Sequence, residues 1–338
     1  ILTHGSLLFQ GEKLGIRLGL QSDDLHLLVL PMSHVLGQAT IAGCFVSGAQ
    51  IAIGGGFRSL LEDTAFFKPT FVVGVPRMFE KIAQKIKAGF HELGPLSRGL
   101  FNSAIEASAI FARHKKDVSR NWLTSVNSLV MEKLVFSRVR TIFGGRIRFF
   151  VSGGAPLDET VIMFLTALGI PLYEGYGLTE TGGATHVNSR SAFKPGTVGV
   201  PLDGVEVRIA EDGEVCLRTP GMMLGYLQSP DEALLIDEEG WLHTGDEGVL
   251  DEGRFLRVSG RKKELLVTAV GKNVAPQKIE GRLTAIECVN RAVVFGDRSS
   301  YLVALLTLEE RSTQRWASEA GVEFSDLKTI AVDQGLYN

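Results

Sequence analysis

The sequence predicts an α/β protein with a large N-terminal lobe of layered α/β sheets, a small β-rich subdomain and a small α+β C-terminal lobe. Three observations support this prediction. Short apolar runs alternate with helical stretches over the first part of the chain, which is typical of α/β sheets. Glycines and prolines then separate short strands. After a polar junction, helices and strands follow again. We therefore predict domains at 1–190, 191–260 and 261–338.

The composition is that of an ordinary globular protein. The chain has 338 residues, is 45% hydrophobic and 22% charged, and carries a formal net charge of -3. This length leaves room for two or more domains, and the near-balanced charge gives no reason to expect a nucleic-acid partner. The cysteines Cys44, Cys216 and Cys288 are scattered without metal-ligand or disulfide spacing. That pattern is typical of a reducing cytoplasm, where we place the protein.

One apolar segment requires a choice between membrane and core. Leu25–Phe57 contains no acidic residue, lysine or arginine, and is long enough to span a bilayer. Prolines, glycines and polar residues interrupt it, so we predict a buried strand (25–30), helix (35–45) and strand (49–53) instead. Peripheral membrane association stays open, because the helical region predicted for 97–143 carries a basic face.

Further elements follow from local signals. Phe71–Val75 is predicted as a buried strand, and Pro76 as the start of a helix, where proline fits best. Ile147–Val151 is predicted as another strand, and Asp158 as the N-cap of the next helix. The apolar run that ends in Ile170-Pro171-Leu172 is interpreted as a buried strand.

Strand and helix signals continue towards the C-terminal end of the chain. Strands are predicted at 205–209 and 214–218, and another at 254–258 before the polar junction. The C-terminal lobe is expected to contain a helix at 276–284, strands at 289–295 and 301–308, and a helix from Ser312.

The glycine-rich stretch Tyr173–Gly183 is the segment around which the chain is arranged. Its glycines let the backbone turn sharply and approach a ligand closely. Thr179 can offer a hydroxyl to a phosphate oxygen, and Glu180 a hard oxygen to Mg²⁺. The rings of Tyr173 and Tyr176 can stack on a flat base. Taken alone, the stretch fits an ordinary glycine-rich turn equally well.

Three further motifs accompany this stretch. Val151-Ser152-Gly153-Gly154-Ala155-Pro156-Leu157 precedes it, and Gly240-Trp241-Leu242-His243-Thr244-Gly245-Asp246 and Ser259-Gly260-Arg261-Lys262-Lys263-Glu264 follow. With these four ordered motifs, the chain resembles the adenylate-forming (AMP-binding) superfamily of acyl-CoA synthetases, luciferases and peptide-synthetase adenylation domains. The segments Gly260–Thr268 and Gly271–Pro276 are most similar to the bacterial long-chain fatty acyl-CoA synthetases.

The resemblance implies roles for individual residues. It assigns catalytic roles to Thr179, Glu180 and Lys263, with Glu180 as the Mg²⁺ ligand and Lys263 at the family hinge. It assigns nucleotide binding to Gly153, Gly154, Ala155, Pro156, Glu174, Gly175, Tyr176, Gly177, Thr179, Asp246 and Arg261. It places His34, Gly37, Gln38 and Gly154 at the acyl pocket. It places Gly271, Lys272 and Asn273 in the loop that serves the CoA site.

Simpler structural roles compete with several of these assignments. His34 is either a gate to the acyl pocket or a core histidine whose ring hydrogen-bonds to the backbone. Small residues after it, such as Gly37, either leave room for an alkyl chain or permit close helix packing. Asp246 can bind both ribose hydroxyls or close an Asx-turn, and the resemblance favours ribose. Lys263 is either a hinge or part of a solvated basic turn.

The implied reaction has two steps and three co-substrates. A fatty acid reacts with ATP and Mg²⁺ to give acyl-AMP, and CoA then takes the acyl group. Two alternatives stay open: an enzyme that passes the acyl group to a carrier protein, and a non-catalytic nucleotide or acyl-adenylate binding protein. Acyl chain length and oligomeric state do not follow from the sequence.

The chain departs from the family pattern at both ends. Only Thr3-His4 corresponds to the end of the family's phosphate loop, and the second catalytic lysine does not follow before Asn338. We therefore expect the chain to be truncated at both ends. Losing a preorganised charged group commonly costs about 100-fold or more in rate. This chain is thus expected to bind adenylate weakly and to adenylate poorly or not at all.

Overall fold

The computed structural model describes most of the chain, and contact density divides it into two compact units, residues 1–259 and 260–338. The division of the first unit near residue 190 stays a prediction. The described residues are 1–91, 99, 137–227, 235–269, 271 and 273–331.

The first unit has the alternating strand and helix order predicted for an α/β sheet. Its helices are α1 (His4–Leu18), α2 (Val35–Ser47), α3 (Leu60–Phe67), α4 (Pro76–His91), α5 (Ser137–Ile142) and α6 (Glu159–Ala167). Its main sheet contains β1 (Leu25–Leu28), β2 (Gln50–Ile53), β3 (Phe71–Gly74), β4 (Phe149–Ser152), β5 (Leu172–Leu178), β6 (Gly183–Val187) and β7 (Val200–Pro201).

The main sheet is parallel at its centre. Its strand order is β2-β1-β3-β4-β5-β6-β7. Strands β2, β1, β3, β4 and β5 pair in parallel, and β6 and β7 continue the sheet antiparallel to β5. The carboxyl ends of the parallel strands therefore lie along one edge, where ligands bind in open α/β sheets.

Alternate residues of the central strands supply two hydrophobic layers. Val72 and Phe150 face a core built with the apolar faces of α3, α4, α5 and α6. Phe71 and Phe149 face the opposite side, where α1 and α2 cover the sheet. Because both faces of the sheet are buried, the sequences of these strands are continuous apolar runs and do not alternate between apolar and polar residues.

Helices α1 and α2 pack closely because glycines face the contact. A Cβ atom at Gly11 would lie 2.7 Å from the carbonyl oxygen of Ala42, and one at Gly15 would lie 2.6 Å from the hydroxyl of Ser47. A larger side chain at Gly11 would push the helices apart, because it would meet backbone. This close contact fixes the wall that α1 and α2 present to the sheet.

Several local predictions are confirmed. Asp158 caps α6, with its Oδ1 accepting a hydrogen bond from the Thr160 amide at 2.7 Å. Pro76 begins α4. The uncharged segment after Leu25 forms the predicted strand, helix and strand, as β1, α2 and β2. Among the described residues, no helix combines the length and apolarity needed to cross a membrane.

One element was wrongly predicted from the apolar run before the glycine-rich stretch. Most of that run is α6, which ends at Ala167, and the strand begins only at Leu172 and continues to Leu178 through the glycine-rich stretch itself. Apolar residues buried on a helix inside a large core cannot be told from a buried strand by periodicity. Most of the helical region predicted for 97–143 lies outside the described residues; α5 covers its end.

A second sheet completes the first unit. Its order is β11-β10-β9-β8, with β8 (Glu206–Ile209), β9 (Glu214–Arg218), β10 (Leu242–Leu250) and β11 (Leu256–Arg261). Val215, Leu217 and Leu256 form its core. The strand predicted at 254–258 begins two residues later, at Leu256, and ends at Arg261, beyond the predicted end.

The second unit is a small α+β structure. It contains β12 (Leu266–Val267), β13 (Asn273–Val274), α7 (Pro276–Thr284), β14 (Val289–Phe295), β15 (Val303–Leu308), α8 (Glu310–Ala320) and α9 (Leu327–Ile330). Strands β14 and β15 pair antiparallel. The predicted bounds of α7 and β14 are confirmed to the residue.

A buried carboxylate ties the amino ends of the parallel strands together. Asp24 is 1% exposed and accepts hydrogen bonds from the guanidinium of Arg148 at 2.5 Å, the hydroxyl of Thr70 at 2.6 Å and the amide of Gln21 at 2.9 Å. Burial opposes ionisation of Asp24, but these donors outweigh it and hold the pKa of its carboxyl below the ordinary 3.8. The carboxylate therefore stabilises the fold in its charged form.

We predict that Asp24→Asn destabilises the first unit by about 2 kcal/mol near neutral pH, because a hydrogen-bonded charge is lost. A lowered folded-state pKa stabilises above the unfolded pKa and loses this effect as pH falls below it. The difference between variant and wild type should therefore shrink below about pH 4. Urea unfolding followed by circular dichroism checks both points, with the exposed Asp23→Asn as control. Equal stability of Asp24→Asn and Asp23→Asn at neutral pH would refute the prediction.

Candidate functional site

The carboxyl ends of β4 and β5 bring two glycine segments side by side. In the parallel pair, Ser152 lies opposite Glu174, so Gly153 and Gly154 follow β4 next to the segment that begins at Gly175. Gly153 and Gly175 approach closely, since a Cβ atom at Gly153 would lie 3.7 Å from the carbonyl oxygen of Gly175. Two stretches of backbone without side chains thus border one edge of the sheet.

An apolar cavity of about 70 Å³ lies against this edge. It extends between the sheet and the α1–α2 pair. Apolar side chains from these elements form most of its wall: Leu14, Leu18, Val35, Ala39, Val73 and Val151. The cavity is therefore suited to a hydrocarbon group, because burial of apolar surface favours binding.

Several residues predicted for the site border this cavity, but two of the four predicted for the acyl pocket do not. His34, Gly153, Gly154, Gly175, Tyr176 and Gly177 are among the residues that line it. Gly37 instead packs against the backbone, since a Cβ atom there would lie 2.6 Å from the carbonyl oxygen of Pro31. Gln38 does not line the cavity either. For Gly37, close packing is the role that the geometry supports.

His34 lies at the start of α2 with its side chain at the surface. Its Nδ1 accepts a hydrogen bond from the Leu36 amide at 3.3 Å, so the ring caps the helix. The imidazole is exposed and also borders the cavity. It is thus not a core histidine, which was one of the two alternatives.

The rest of the glycine-rich stretch forms a strand and a tight turn. Gly177 sits where β5 and β6 almost touch, since a Cβ atom there would lie 2.0 Å from the carbonyl oxygen of Gly183. The turn at Thr179–Gly182 is closed by the buried Thr181, whose Oγ1 accepts from the Leu178 amide at 3.0 Å. This leaves Thr179 exposed at the tip of the turn.

Glu180 follows Thr179 in the same turn and is half-buried. The phenol of Tyr226 donates a hydrogen bond to its Oε1. Glu180 therefore presents a carboxylate oxygen near an exposed hydroxyl, a set of hard ligands that fits a magnesium-bound phosphate. The sequence analysis did not identify Tyr226. No motif indicates this residue, because it lies far from Glu180 along the chain.

The two tyrosines of the stretch have different surroundings. Tyr173 is buried, with ring centroids 5.6 Å from Phe149 and 5.7 Å from Phe193, so its ring is part of the core and not free to stack on a ligand. Tyr176 borders the cavity, and its phenol donates to Oδ2 of Asp246 at 2.6 Å. The expectation of two stacking tyrosines was wrong for Tyr173. Side chains alternate between the two faces of a strand, so Tyr173 and Tyr176, three residues apart on β5, face opposite sides.

Asp246 is a buried carboxylate next to this tyrosine. It is only 4% exposed and lies where the β9–β10 pairing shifts register between His243 and Glu247. Its amide donates to Oγ1 of Thr244 at 3.1 Å. The bulge turns the carboxylate out of the regular strand pattern and towards Tyr176.

Glu174 is buried behind the glycine edge rather than exposed on it. It is 8% exposed, and its Oε1 accepts a hydrogen bond from the Leu157 amide at 3.2 Å. The contact holds the end of the loop in which Ala155 and Pro156 are exposed. Burial is the main cause that raises the pKa of Glu174 to about 8. A loop-positioning role is the one that this geometry supports for Glu174.

The remaining predicted site residues belong to the second unit. Arg261 and Lys263 are exposed, and Lys263 lies in a single 3-10 turn at Lys262–Glu264. Gly271 has a φ of 78°, which favours glycine, and Asn273 begins β13. Lys272 lies outside the described residues. The roles predicted for these residues stay predictions.

We predict that Glu174→Gln changes how stability depends on pH. Between the ordinary pKa of 4.5 and the raised value of about 8, the folded protein keeps a proton that the unfolded chain has lost. Stability of the wild type therefore falls as pH rises through this window. Glutamine keeps the acceptor for Leu157 and cannot ionise, so the variant should gain stability relative to wild type from about pH 5 to about pH 8. Urea unfolding measures this gain.

The exposed Glu12→Gln serves as the control for the same charge change. It should shift stability equally at both pH values. A Glu174→Gln variant that follows the wild type at every pH would show that Glu174 ionises normally in the folded protein.

Two family models match the chain. The model described as "AMP-binding enzyme" matches residues 1–227, and the model described as "AMP-binding enzyme C-terminal domain" matches residues 263–327. Together these matches cover the glycine-rich stretch, the residues that line the cavity and the part of the polar junction that begins at Lys263. The first match alone extends over more than half of the chain.

Curated relatives are similar over nearly the whole chain. It is 35% identical over 330 residues to "Long-chain-fatty-acid--CoA ligase FadD15" of Mycobacterium bovis, covering 96% of this chain and 53% of that protein. It is 30% identical over 350 residues to "Long chain acyl-CoA synthetase 6, peroxisomal" of Arabidopsis thaliana, covering 98% of this chain and 48% of that protein. The chain thus spans about half the length of these relatives.

Solved structures share the fold at lower identity. O-succinylbenzoate coenzyme A synthetase (MenE) from Bacillus subtilis, in complex with ATP and magnesium, superposes with a TM-score of 0.64 at 21% identity, over 94% of this chain and 59% of that one. The anthranilate CoA ligase AuaEII with anthranoyl-AMP gives a TM-score of 0.67 at 19% identity, over 95% and 57%. From its family matches and its relatives, we conclude that the chain belongs to the AMP-binding enzyme family.

Proposed function

We propose that this chain belongs to a long-chain fatty acyl-CoA synthetase. In this reaction the carboxylate of a fatty acid attacks the α-phosphorus of ATP, forming acyl-AMP and releasing pyrophosphate. The thiol of CoA then attacks the acyl carbonyl carbon, forming the thioester and releasing AMP. The names of the relatives from Mycobacterium bovis and Arabidopsis thaliana support fatty acid as the substrate class.

One observation carries the proposal: an apolar cavity and a polar nucleotide edge share the same glycine segments. The cavity of about 70 Å³ is bordered by Gly153, Gly154 and Gly175. Its wall is apolar, while Tyr176 on the same edge is hydrogen-bonded to the buried Asp246. An acyl-adenylate has the same division, because an apolar chain is joined through a phosphate to a polar nucleoside.

Different residues of the edge would bind different parts of the acyl-adenylate. Adenine lies against the backbone of Gly154 and Gly175 and the ring of Tyr176, where the absence of side chains admits a flat base. Asp246 accepts hydrogen bonds from the ribose hydroxyls, and Arg261 supplies a second, always-charged contact. His34 stands at the surface end of the cavity and limits access of water to the acyl group.

The turn after β5 would hold the phosphates. Thr179 donates its hydroxyl to a phosphate oxygen, and Glu180 provides a carboxylate oxygen to the Mg²⁺ that accompanies ATP as part of the substrate. Both groups lie on a turn closed by the buried Thr181, so little freedom is lost when the substrate binds. Preorganised groups of this kind stabilise charge that develops during the transfer.

The second step would use residues 261–338 as a mobile C-terminal lobe. Lys263 acts as the hinge, and the loop with Gly271, Lys272 and Asn273 serves the CoA thiol. Hinges commonly lie in a few residues at the end of an element, and Lys263 lies in a single turn directly after β11. Localisation in the cytoplasm, with or without peripheral contact to a membrane, remains part of this proposal.

We predict that the chain binds non-hydrolysable acyl-AMP mimics with an affinity that rises with chain length. Palmitoyl, octanoyl and benzoyl versions are titrated calorimetrically, since each buried methylene contributes about 0.8 kcal/mol. Asp246→Asn should weaken all three about 10-fold or more, because hydrogen bonds to a charge are lost. The matched control is Asp203→Asn, whose side chain is 80% exposed. Equal affinities for the three mimics would refute the long-chain assignment.

We predict that Gly43→Leu blocks the acyl cavity and spares the nucleotide edge. A Cβ atom at Gly43 would meet Leu20 at 3.7 Å, an ordinary contact, so the helix tolerates a side chain there. The added isobutyl group would fill cavity volume, and affinity for the palmitoyl mimic should fall about 10-fold or more, the equivalent of roughly two methylenes. Affinity for AMP is the internal control and should not change. A variant that binds palmitoyl-AMP mimic as tightly as wild type would place the acyl group elsewhere.

The acceptor of the acyl group can be tested separately. Purified palmitoyl-AMP is supplied with either CoA or a phosphopantetheinyl carrier protein, and thioester is measured by mass spectrometry. Thioester with CoA supports the proposal, and thioester only with the carrier contradicts it. Pyrophosphate release from fatty acid and ATP tests the first step in the same preparation.

A further inference from the structure

Three potential metal ligands converge on one face of the second sheet. Glu214 and Cys216 are two residues apart on β9, so their side chains point to the same face. His243 on β10 lies directly opposite Cys216 in the antiparallel pair. One ligand atom from each of the three residues lies within 4.8 Å of the others. These groups lie outside the cavity and the glycine edge.

The two separations from His243 match those of tetrahedral zinc ligands. Nδ1 of His243 lies 3.2 Å from Oε2 of Glu214 and 3.7 Å from Sγ of Cys216. With zinc–ligand bonds of about 2.0–2.3 Å, tetrahedral angles put nitrogen and oxygen roughly 3.3 Å apart, and nitrogen and sulfur roughly 3.5 Å apart. All three ligand atoms lie within 4.8 Å of one another, so they can surround a single ion after the side chains adjust.

Neighbouring groups orient two of the ligands. Nε2 of His243 lies 3.4 Å from Oδ2 of Asp237. A carboxylate at one ring nitrogen holds the proton there and leaves the other nitrogen's lone pair for a metal, as in carboxylate–histidine–zinc sites. Oε1 of Glu214 accepts the Gly245 amide at 2.7 Å, which turns Oε2 towards the ring.

The orientation of the ring directs a second nitrogen towards the other two ligands. With the ring proton on Nε2, the lone pair of Nδ1 in His243 faces Oε2 of Glu214 at 3.2 Å and Sγ of Cys216 at 3.7 Å. The thiol of Cys216 on the same side is the ligand that distinguishes a metal site from a simple ion pair.

The surrounding charges also favour a cation. Two arginines approach the face. Arg208 lies beside the thiol of Cys216 and is paired with Asp237 at 3.1 Å and Glu239 at 3.3 Å, and Arg218 is paired with Glu206 at 2.7 Å. With Glu214, carboxylates outnumber guanidiniums around the site.

We propose that Glu214, Cys216 and His243 form a binding site for Zn²⁺, with Asp237 orienting the histidine. Thiolate and imidazole ligands select Zn²⁺ over Mg²⁺, and the half-exposed His243 leaves room for a water as fourth ligand. The ion ties β9 to β10 three residues before Asp246, which makes it a structural site beside the nucleotide edge. The proposal does not depend on the ligase reaction.

The test uses Co²⁺ as a spectroscopic replacement for Zn²⁺ in the 338-residue chain. Chelator-treated protein is titrated with Co²⁺, and the thiolate-to-cobalt charge-transfer band and the visible bands of tetrahedral cobalt are recorded. We expect one equivalent to bind and added Zn²⁺ to bleach both features. Cys216→Ser should abolish the charge-transfer band, whereas Cys288→Ser, at the half-buried cysteine of the other unit, should retain it.

A second variant keeps all three ligands and tests their orientation. Asp237→Asn should weaken Co²⁺ binding about 10- to 100-fold, the usual effect of removing a carboxylate behind a metal-bound histidine. Circular dichroism confirms that each variant is folded. The proposal is overturned if excess Co²⁺ gives no thiolate band in the wild type, or if Cys216→Ser keeps the band. Absence of the band in the wild type would mean that His243 and Glu214 form only an ion pair. An unchanged Co²⁺ affinity of Asp237→Asn would also contradict the proposed site.

Discussion

The parallel register between β4 and β5 is the constraint on which the rest of the site depends. With Phe150 opposite Leu172 and Ser152 opposite Glu174, the glycines after β4 border those in β5. A slip of one residue would exchange the faces of every side chain in β5. The buried carboxyl of Glu174 would then leave the Leu157 amide, and the glycine edge would no longer be continuous.

The α1–α2 pair supplies the other half of the site. Its glycine contacts bring backbone close to backbone, so the wall that faces the sheet is set by rigid packing rather than by adaptable side chains. The same wall carries the apolar lining of the cavity, and His34 caps α2 where the cavity meets the surface. The apolar pocket and the glycine edge thereby meet at Gly153, Gly154 and Gly175, which border both.

Strand β10 connects two features that the sequence separates from the glycine-rich stretch. Its regular part places His243 opposite Cys216, and the register shift that follows turns Asp246 towards Tyr176. The hydrogen bond from the Gly245 amide to Glu214 lies between them. The buried Asp246 therefore follows an amide that is held by Glu214, one member of the Glu214, Cys216 and His243 cluster.

The sequence alone determined the α/β class, the positions of α2, α4, α7, β9 and β14, the Asp158 cap and the family, because these depend on local signals and ordered motifs. Only the tertiary structure decided that Tyr173 belongs to the core and Tyr176 to the cavity, and that Glu174 supports a loop. It also decided that Cys216, which has no metal spacing in the sequence, lies beside His243. Which face of a strand meets a ligand, and which residue lies across from it, is set by long-range pairing register and not by neighbours along the chain.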